Sequence, residues 1–297
     1  MMIEKPLFKN KVFPFLLIAP QIILAIIFFI WPAVESLYQS LLRTDPFGLK
    51  TSFVGISNFK VLFADARYIR AFRFSFELAL IVTAATLALG MLFAVVGYKR
   101  VRGSKAFSTL IIAPYALAPA IAAVLWLFAF QPQIGIITRW LKLQGITWNY
   151  AINAVQAKFL ICLVTIWQRL PYNFIFFTAA LASIPKELWE AAYIDGANEW
   201  YAFWCITFPL ISPTTFFLLV TNITYALFDT FGIIDALTNG GPAGATTTLC
   251  FKTYLDGFVY LRLAQSAAQS VILLSIGVIL SALQFKFVQR RVQYAQL

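Results

Sequence analysis

The sequence predicts an all-α integral membrane protein with six transmembrane helices. Of its 297 residues, 61% are hydrophobic and only 12% are charged, and the mean hydropathy is +0.81. Soluble domains contain about 45–50% apolar and about 25% charged residues, so the excess apolar surface is expected to face lipid. Six stretches are long and apolar enough to cross a bilayer, which takes about 20 residues of helix.

The six predicted spans follow one another along the whole chain. The first has no charge, and its apolar core exceeds the roughly 7–15 residues of a signal peptide, so we expect a retained helix. The third carries Pro114 and Pro119, which predict a bent helix. The fourth is interrupted by one charge, Arg169. The approximate bounds of the spans are 12–34, 76–98, 106–130, 159–181, 210–233 and 263–283.

The connections carry turn and interface signals. Asp45-Pro46-Phe47-Gly48 predicts a turn, and Asn239-Gly240-Gly241-Pro242 predicts a strong break. Residues 131–158 place Ile134, Ile137, Trp140 and Leu141 at helical spacing, which predicts a short helix at the membrane interface.

The residue types argue against several classes of protein. The chain has no histidine, and Cys162, Cys205 and Cys250 form no CxxC pair, so we expect neither a metal site nor a disulfide framework. No GxxxxGK[ST] phosphate loop occurs, so ATP binding by that device is not expected. An enzyme would need a nucleophile–base pair or paired carboxylates, which the spans do not offer. The net charge of +11 is spread between apolar runs, which favours membrane anchoring over nucleic-acid binding.

Six spans place both termini on one side of the membrane. Basic residues outside the spans divide equally between the two sides, so the positive-inside rule does not choose the orientation. The dense run Lys99-Arg100-Val101-Arg102, with Lys105 close behind it, favours cytoplasmic termini.

The connection at 183–209 has the pattern of two short helices around a bend. Pro185 suits the first turn of a helix, and Glu187 and Glu190 suit its positive end. Asp195-Gly196 then ends the helix. A second apolar helical stretch follows, and we expect it to end at Pro209.

This connection resembles the EAA loop of ABC importer permeases. Glu190-Ala191-Ala192 is followed after three residues by Gly196, and after nine more by Ile206 and then Pro209. Phe208 replaces the leucine that is usual in the family, and Asn198–Phe203 carries Glu199 and three aromatic residues where relatives often have basic ones. The resemblance extends over nearly the whole chain and is to the MalF-like, carbohydrate-uptake branch. The segments that carry it are 16–33, 45–48, 52–55, 172–174, 238–249 and 266–273.

The resemblance implies the type I ABC importer permease fold in a bacterial inner membrane, with 183–209 and both termini cytoplasmic. It implies a heterodimer with a sister permease, two ATP-binding subunits that hold ATP and Mg, and a periplasmic or lipid-anchored solute-binding protein. No cofactor is expected on this chain itself. The implied solute is sn-glycerol 3-phosphate or a related glycerophosphodiester, with a maltose-like or other sugar as the alternative. The implied ATPase-coupling residues are Glu190, Ala191, Ala192, Asp195, Gly196, Ile206 and Pro209.

Polar residues at helical spacing in the fourth and fifth spans predict a solute path. Side chains three, four or seven residues apart share a helix face, and polar groups inside a span usually face protein or water. A guanidinium there suits an anionic group. The alternative is a structural network, with Arg169 paired to Asp229 or to backbone carbonyls. The residues of the two predicted faces are Arg169, Tyr172, Asn173, Asn222, Tyr225 and Asp229.

Two further charges, Glu35 and Glu77, fall near the outer ends of their spans, where interfacial placement or local pairing with Arg73 is expected.

A second function class, a transporter driven by an ion gradient, would be expected to show inverted repeats. No internal repeat is visible in the sequence.

Overall fold

The computed structural model describes residues 12–44, 51–98 and 104–291. The predicted turn at 45–48 and the basic run at 99–102 lie outside this part of the chain, as do both chain ends. The described residues are helical apart from one short β-hairpin and the connecting loops.

The chain divides into two compact units. One consists of Met1–Ala64 together with Thr253–Ile272, and the other of Asp65–Lys252 together with Leu273–Leu297.

The first unit begins with an apolar helical run. Helix α1 (Val12–Ala25) passes through a π-helical turn (Ile26–Ile30) into α2 (Trp31–Ser40), and none of the most apolar stretch of this run is buried. A helix that is apolar on every side is typical of a membrane span. The hairpin of β1 (Leu42–Thr44) and β2 (Thr51–Phe53) follows, with Leu42 opposite Phe53.

Helix α3 (Ser57–Ala64) is fastened to the end of α2 by one amide. Asn58 Nδ2 donates to the carbonyls of Ser40 and Leu42, both at 2.7 Å. These carbonyls lie where the helix gives way to the hairpin, so Asn58 satisfies groups that the change of backbone leaves unpaired.

Three long helices form the centre of the second unit. They are α4 (Ala66–Tyr98), α8 (Ala154–Ala182) and α11 (Phe208–Phe228). At Gly90, a Cβ would lie 2.6 Å from the Cβ of Asn173. The backbone of α4 therefore contacts the Asn173 side chain of α8 directly at this point. Buried Phe174, Phe177 and Leu218 fill the space around the contact.

The predicted third span is not one helix. It consists of α5 (Ser104–Ile112), a 3₁₀ turn (Ala113–Ala116) and α6 (Pro119–Phe130), with a bend of 105° between its two parts. Pro114 lies in the 3₁₀ turn and Pro119 begins α6, so the chain changes direction where two residues cannot continue a regular helix. The prolines predicted a bend, and the structure makes it a full break.

The remaining helices of this unit are shorter. Helix α7 (Ile136–Leu143) is the short helix predicted within 131–158, and α9 (Lys186–Ile194) and α10 (Glu199–Ala202) lie in the connection before α11. Helix α12 (Phe231–Thr238) follows α11 after a break at Asp229, so the predicted fifth span at 210–233 ends earlier than expected. It packs on α6, where Gly232 approaches Ala120.

The last two helices cross the boundary between the units. Helix α13 (Leu249–Tyr254) runs into a π-helical turn (Leu255–Val259), and α14 (Leu263–Arg291) is the predicted sixth span, extended at its end.

Five helical segments in the described residues are long and apolar enough to cross a membrane, and the bent pair gives a sixth if it counts as one span. Helix α4 begins ten residues before the predicted second span, and this added part contains Arg67, Arg70 and Arg73. Glu77 in this helix pairs across to α8, where Lys158 Nζ lies 2.8 Å from its Oε2. The expected local partner, Arg73, is therefore replaced by a residue on another helix.

Candidate functional site

Polar side chains of α8 and α11 meet where these two helices pack. Arg169, Tyr172 and Asn173 share one face of α8, and Asn222 and Tyr225 share the facing side of α11. We call these five residues the polar cluster. Asn173 and Asn222 are completely buried, so the cluster is formed in the interior of the second unit.

Amide groups join the two helices at the centre of the cluster. Asn222 Nδ2 donates to Asn173 Oδ1 at 2.7 Å, and Asn173 Nδ2 donates to Asn222 Oδ1 at 3.2 Å. Asn173 Nδ2 also donates to the carbonyl of Arg169 at 3.2 Å. Because buried amides are costly when unpaired, this reciprocal pair fixes α8 against α11.

Arg169 is held by its Nε and by two aromatic rings. Its Nε donates to Asn222 Oδ1 at 3.0 Å, and its Nη2 to the carbonyl of Thr221 at 3.5 Å. Its Cζ lies 3.8 Å from the ring centre of Tyr172 and 4.6 Å from that of Tyr225. Both distances are within the range of attraction between a cation and an aromatic face.

Arg169 has no acidic partner among the described residues. Asp229, the sixth residue of the predicted faces, is exposed at the end of α11 and makes no ion pair with Arg169 there. A guanidinium has five N–H donors, and two are used by the bonds to Asn222 and Thr221. The other three have no acceptor in the described part of the chain.

Two residues that contribute to this region were not singled out from the sequence. Gly90 allows α4 to approach Asn173, and Gln168 on α8 contacts both Tyr225 and the break between α5 and α6. The available signals were a glycine inside an apolar helical run and an amide inside a span.

The connection at 183–209 contains the predicted helix, bend and second helix. Helix α9 ends at Asp195, and Gly196 takes a left-handed φ of +81°, which a glycine adopts without steric cost. Asn198 begins α10 by accepting a hydrogen bond from the backbone N–H of Tyr201 at 2.8 Å.

Pro209 does not end the second helix, contrary to the sequence-based expectation. Helix α10 continues through a π-helical turn (Phe203–Thr207) into α11, and Pro209 lies in the first turn of α11. In the wider turn the N–H of Phe208 bonds to the carbonyl of Phe203, five residues earlier. This shift in the bonding pattern immediately precedes the proline, and a single π-helical turn inside an α-helix lets the chain stay helical at a residue that has no N–H to donate.

A groove of about 680 Å³ lies along the bend. Five of the seven predicted coupling residues line it. Glu190 instead borders a neighbouring cavity, and Pro209 lies beyond both. A Cβ at Gly196 would have no atom within 4 Å, so the bend offers open space at the groove. The residues that line the groove are Leu188, Ala191, Ala192, Asp195, Gly196, Ala197, Asn198, Tyr201 and Ile206.

The groove combines buried and exposed lining residues. Ala192 is buried in it, whereas Leu188, Asp195 and Tyr201 are exposed. Small residues at a bend let another surface approach closely. No group of three or more His, Cys, Asp or Glu side chains able to hold a metal ion occurs in residues 12–44, 51–98 and 104–291.

Comparison with known proteins agrees with these features. The family described as "Binding-protein-dependent transport system inner membrane component" matches residues 86–294. The chain is 49% identical, over 98% of its length and 99% of theirs, to the sn-glycerol-3-phosphate transport system permease proteins UgpA of Rhizobium meliloti (strain 1021) and of Escherichia coli O157:H7.

The fold matches that of a solved transporter. The structure of a bacterial ABC transporter involved in the import of the acidic polysaccharide alginate superposes with a TM-score of 0.81 at 22% identity, covering 95% of this chain and 96% of that one. The predicted fold class is thereby confirmed, and the apolar helices are those of a multi-pass inner-membrane protein. The chain belongs to the family of binding-protein-dependent transport system inner membrane components and is a permease of an ABC importer.

Proposed function

We propose that this permease imports sn-glycerol 3-phosphate or a related glycerophosphodiester, and that the polar cluster lines the path of the solute. The observation that carries the proposal is Arg169, a guanidinium within a membrane helix that has no acidic partner among the described residues and keeps three N–H donors. The near-full-length relatives named as sn-glycerol-3-phosphate permeases support the same class of solute.

The chemistry of a phosphate monoester fits this group. Arginine binds phosphate oxygens through a fork of parallel N–H donors, and such charge-assisted bonds are stronger than neutral ones. Nε is already directed to Asn222 and one Nη2 N–H to Thr221, so both Nη1 N–H groups and the second Nη2 N–H are left to meet the anion. Tyr172 and Tyr225 hold the plane of the guanidinium, which lowers the conformational entropy that binding would otherwise cost.

ATP hydrolysis belongs to partner subunits in this proposal. The chain supplies the short helix α9 and the bend at Gly196, which dock in a cleft of an ATP-binding subunit, and ATP and Mg are held by that subunit. Closure of the two ATP-binding subunits moves α9 and α10, and the continuous helix through Phe203–Thr207 transmits the motion to α11. Because Asn222 and Tyr225 are on α11, the motor and the polar cluster are joined by one helix.

In this proposal the docking surface faces the cytoplasm. ATP is cytoplasmic, so α9 and α10 face the cytoplasm, and with six spans both termini do too. A sister permease completes the translocation cavity, and a periplasmic or lipid-anchored binding protein delivers the solute to the outer loops. Alternating access then follows from the ATP cycle.

Uptake by the reconstituted assembly tests the proposal. Proteoliposomes that contain this permease, its sister permease and the ATP-binding subunits, together with the binding protein, are given labelled sn-glycerol 3-phosphate or labelled maltose. Accumulation of the phosphate ester that requires internal ATP is expected. Accumulation of maltose instead would favour the sugar permease, and uptake without ATP would favour an ion-driven transporter.

A further inference from the structure

The break between α5 and α6 leaves a backbone carbonyl in need of a partner. Leu117 and Ala118 are extended, with ψ of 136° and 143°, and Pro119 follows without an N–H. The helical bonding pattern stops here, although the segment lies within an apolar span. A carbonyl inside a membrane is costly unless another group donates to it.

Gln168 on α8 provides that donor. Its Nε2 donates to the carbonyl of Leu117 at 3.1 Å, and its Oε1 accepts a bond from the hydroxyl of Tyr225 at 3.2 Å. The carbonyl can only accept, so it sets which end of the amide faces the break. Gln168 is buried, and both ends of its amide are therefore used in the interior.

These bonds connect the break to the polar cluster. Tyr225 donates to Gln168 through its hydroxyl and lies against Arg169 through its ring, 4.6 Å from Cζ. A series of direct contacts thus runs from Leu117 through Gln168 and Tyr225 to Arg169. A change in the bend between α5 and α6 that removes the Leu117 carbonyl frees Gln168 Nε2, so the amide that accepts from the Tyr225 hydroxyl can move.

We propose that Gln168 is a positioning residue for transport, which links the shape of the broken helix to the placement of Tyr225 against Arg169. The proposal rests on the proposed solute path through the polar cluster. In one state the amide bridges the break and the tyrosine, and the ring holds the guanidinium. In the other state Gln168 no longer joins Leu117 to Tyr225, and the Tyr225 ring no longer fixes the Arg169 guanidinium. Two elements that share such a contact bias one another.

A double-mutant cycle tests the link. Gln168→Leu removes both bonds and keeps most of the volume, and Tyr225→Phe removes the hydroxyl and keeps the ring. Each change is expected to raise the KM of uptake by about threefold to tenfold, the range for loss of a buried hydrogen bond. The double variant is expected to be no worse than the more affected single variant, because both remove the same contact.

A matched glutamine provides the control. Gln156, also on α8, bonds to Asn149 and to the carbonyl of Thr147, away from the break. Gln156→Leu is expected to leave KM within about twofold of the unmodified protein. Effects of Gln168→Leu and Tyr225→Phe that multiply in the double variant would overturn the proposal.

A second readout needs no solute. Tyr115 is 56% exposed in the 3₁₀ turn beside the break. In assembled complex with Cys205→Ser, which removes the exposed native thiol, Tyr115→Cys is labelled with a maleimide, with and without Gln168→Leu. The labelling rate is expected to change by about threefold or more, and an unchanged rate would overturn the link. If wild-type complex does not transport sn-glycerol 3-phosphate, the labelling result still decides the role of Gln168.

Discussion

Asn173 on α8 and Asn222 on α11 exchange hydrogen bonds through both of their amide groups, and Arg169 donates to the same Asn222 oxygen at 3.0 Å. One asparagine therefore holds two helices together and orients the guanidinium. Because the amide is neutral, it accepts from Arg169 without cancelling the charge of the guanidinium.

Asn222→Asp tests whether that neutrality matters. The shape is kept, and the carboxylate still accepts from Arg169, but it no longer donates to Asn173, and it pairs with the guanidinium and competes with an anionic solute. We expect an assembled complex whose uptake of sn-glycerol 3-phosphate falls by about tenfold or more. Asn153→Asp is the control, because Asn153 is an exposed helix N-cap where aspartate serves equally well. Undiminished uptake by Asn222→Asp would mean that the solute does not meet Arg169.

Gly90→Ala tests the close packing of α4 against α8. The added Cβ would lie 2.6 Å from the Cβ of Asn173 and 3.3 Å from its carbonyl carbon, so the helices must separate. We expect a loss of about 1–3 kcal/mol of stability, typical of overpacking, measured as thermal unfolding of the purified complex.

Gly232→Ala is the matched control for Gly90→Ala. There the nearest atom would be 3.6 Å away, an ordinary contact, and alanine favours the helix. Equal stability of the two variants would refute the proposed role of Gly90.

Gly196→Leu tests the docking groove. The side chain would enter the open space at the bend, and we expect loss of co-purification of the ATP-binding subunit. Gly145→Leu is the control, because Gly145 has a φ of +78° and also has no neighbour within 4 Å of a Cβ, so the backbone strain is similar. If both variants lose the ATP-binding subunit to the same extent, backbone strain and not a blocked docking surface explains the loss.

Reversal of the pair between Glu77 and Lys158 tests the link between α4 and α8. Their charged atoms lie 2.8 Å apart, and both side chains are partly exposed, so Glu77→Gln is expected to cost about 1 kcal/mol. The double variant Glu77→Lys, Lys158→Glu should recover part of the unfolding temperature that each single charge reversal loses. An unfolding temperature of the double variant no higher than that of the single variants would mean that Glu77 and Lys158 do not stabilise one another.

Sequence periodicity predicted the helices and the two polar faces, because residues three or four apart share a helix face and span length limits their depth. It did not predict the angle between α5 and α6, since prolines mark a break without fixing its direction. The contacts of Gly90 with Asn173 and of Glu77 with Lys158 join distant parts of the chain, and local pattern carries no signal for them. The passage of the helix through Pro209 depends on a π-helical turn that composition does not reveal.

Recognition of the anion by Arg169 is tested most directly by the concentration dependence of sn-glycerol 3-phosphate uptake in Arg169→Gln complex. Glutamine can still donate to Asn222 but has no positive charge, and Thr224→Val, which removes only a hydroxyl bonded within α11, is the control. We predict a rise in KM of about tenfold or more for Arg169→Gln, partly reversed in Arg169→Lys, with Thr224→Val unchanged. A KM for Arg169→Gln equal to that of the unmodified permease, in complex assembled to the same level, would contradict the proposed solute path.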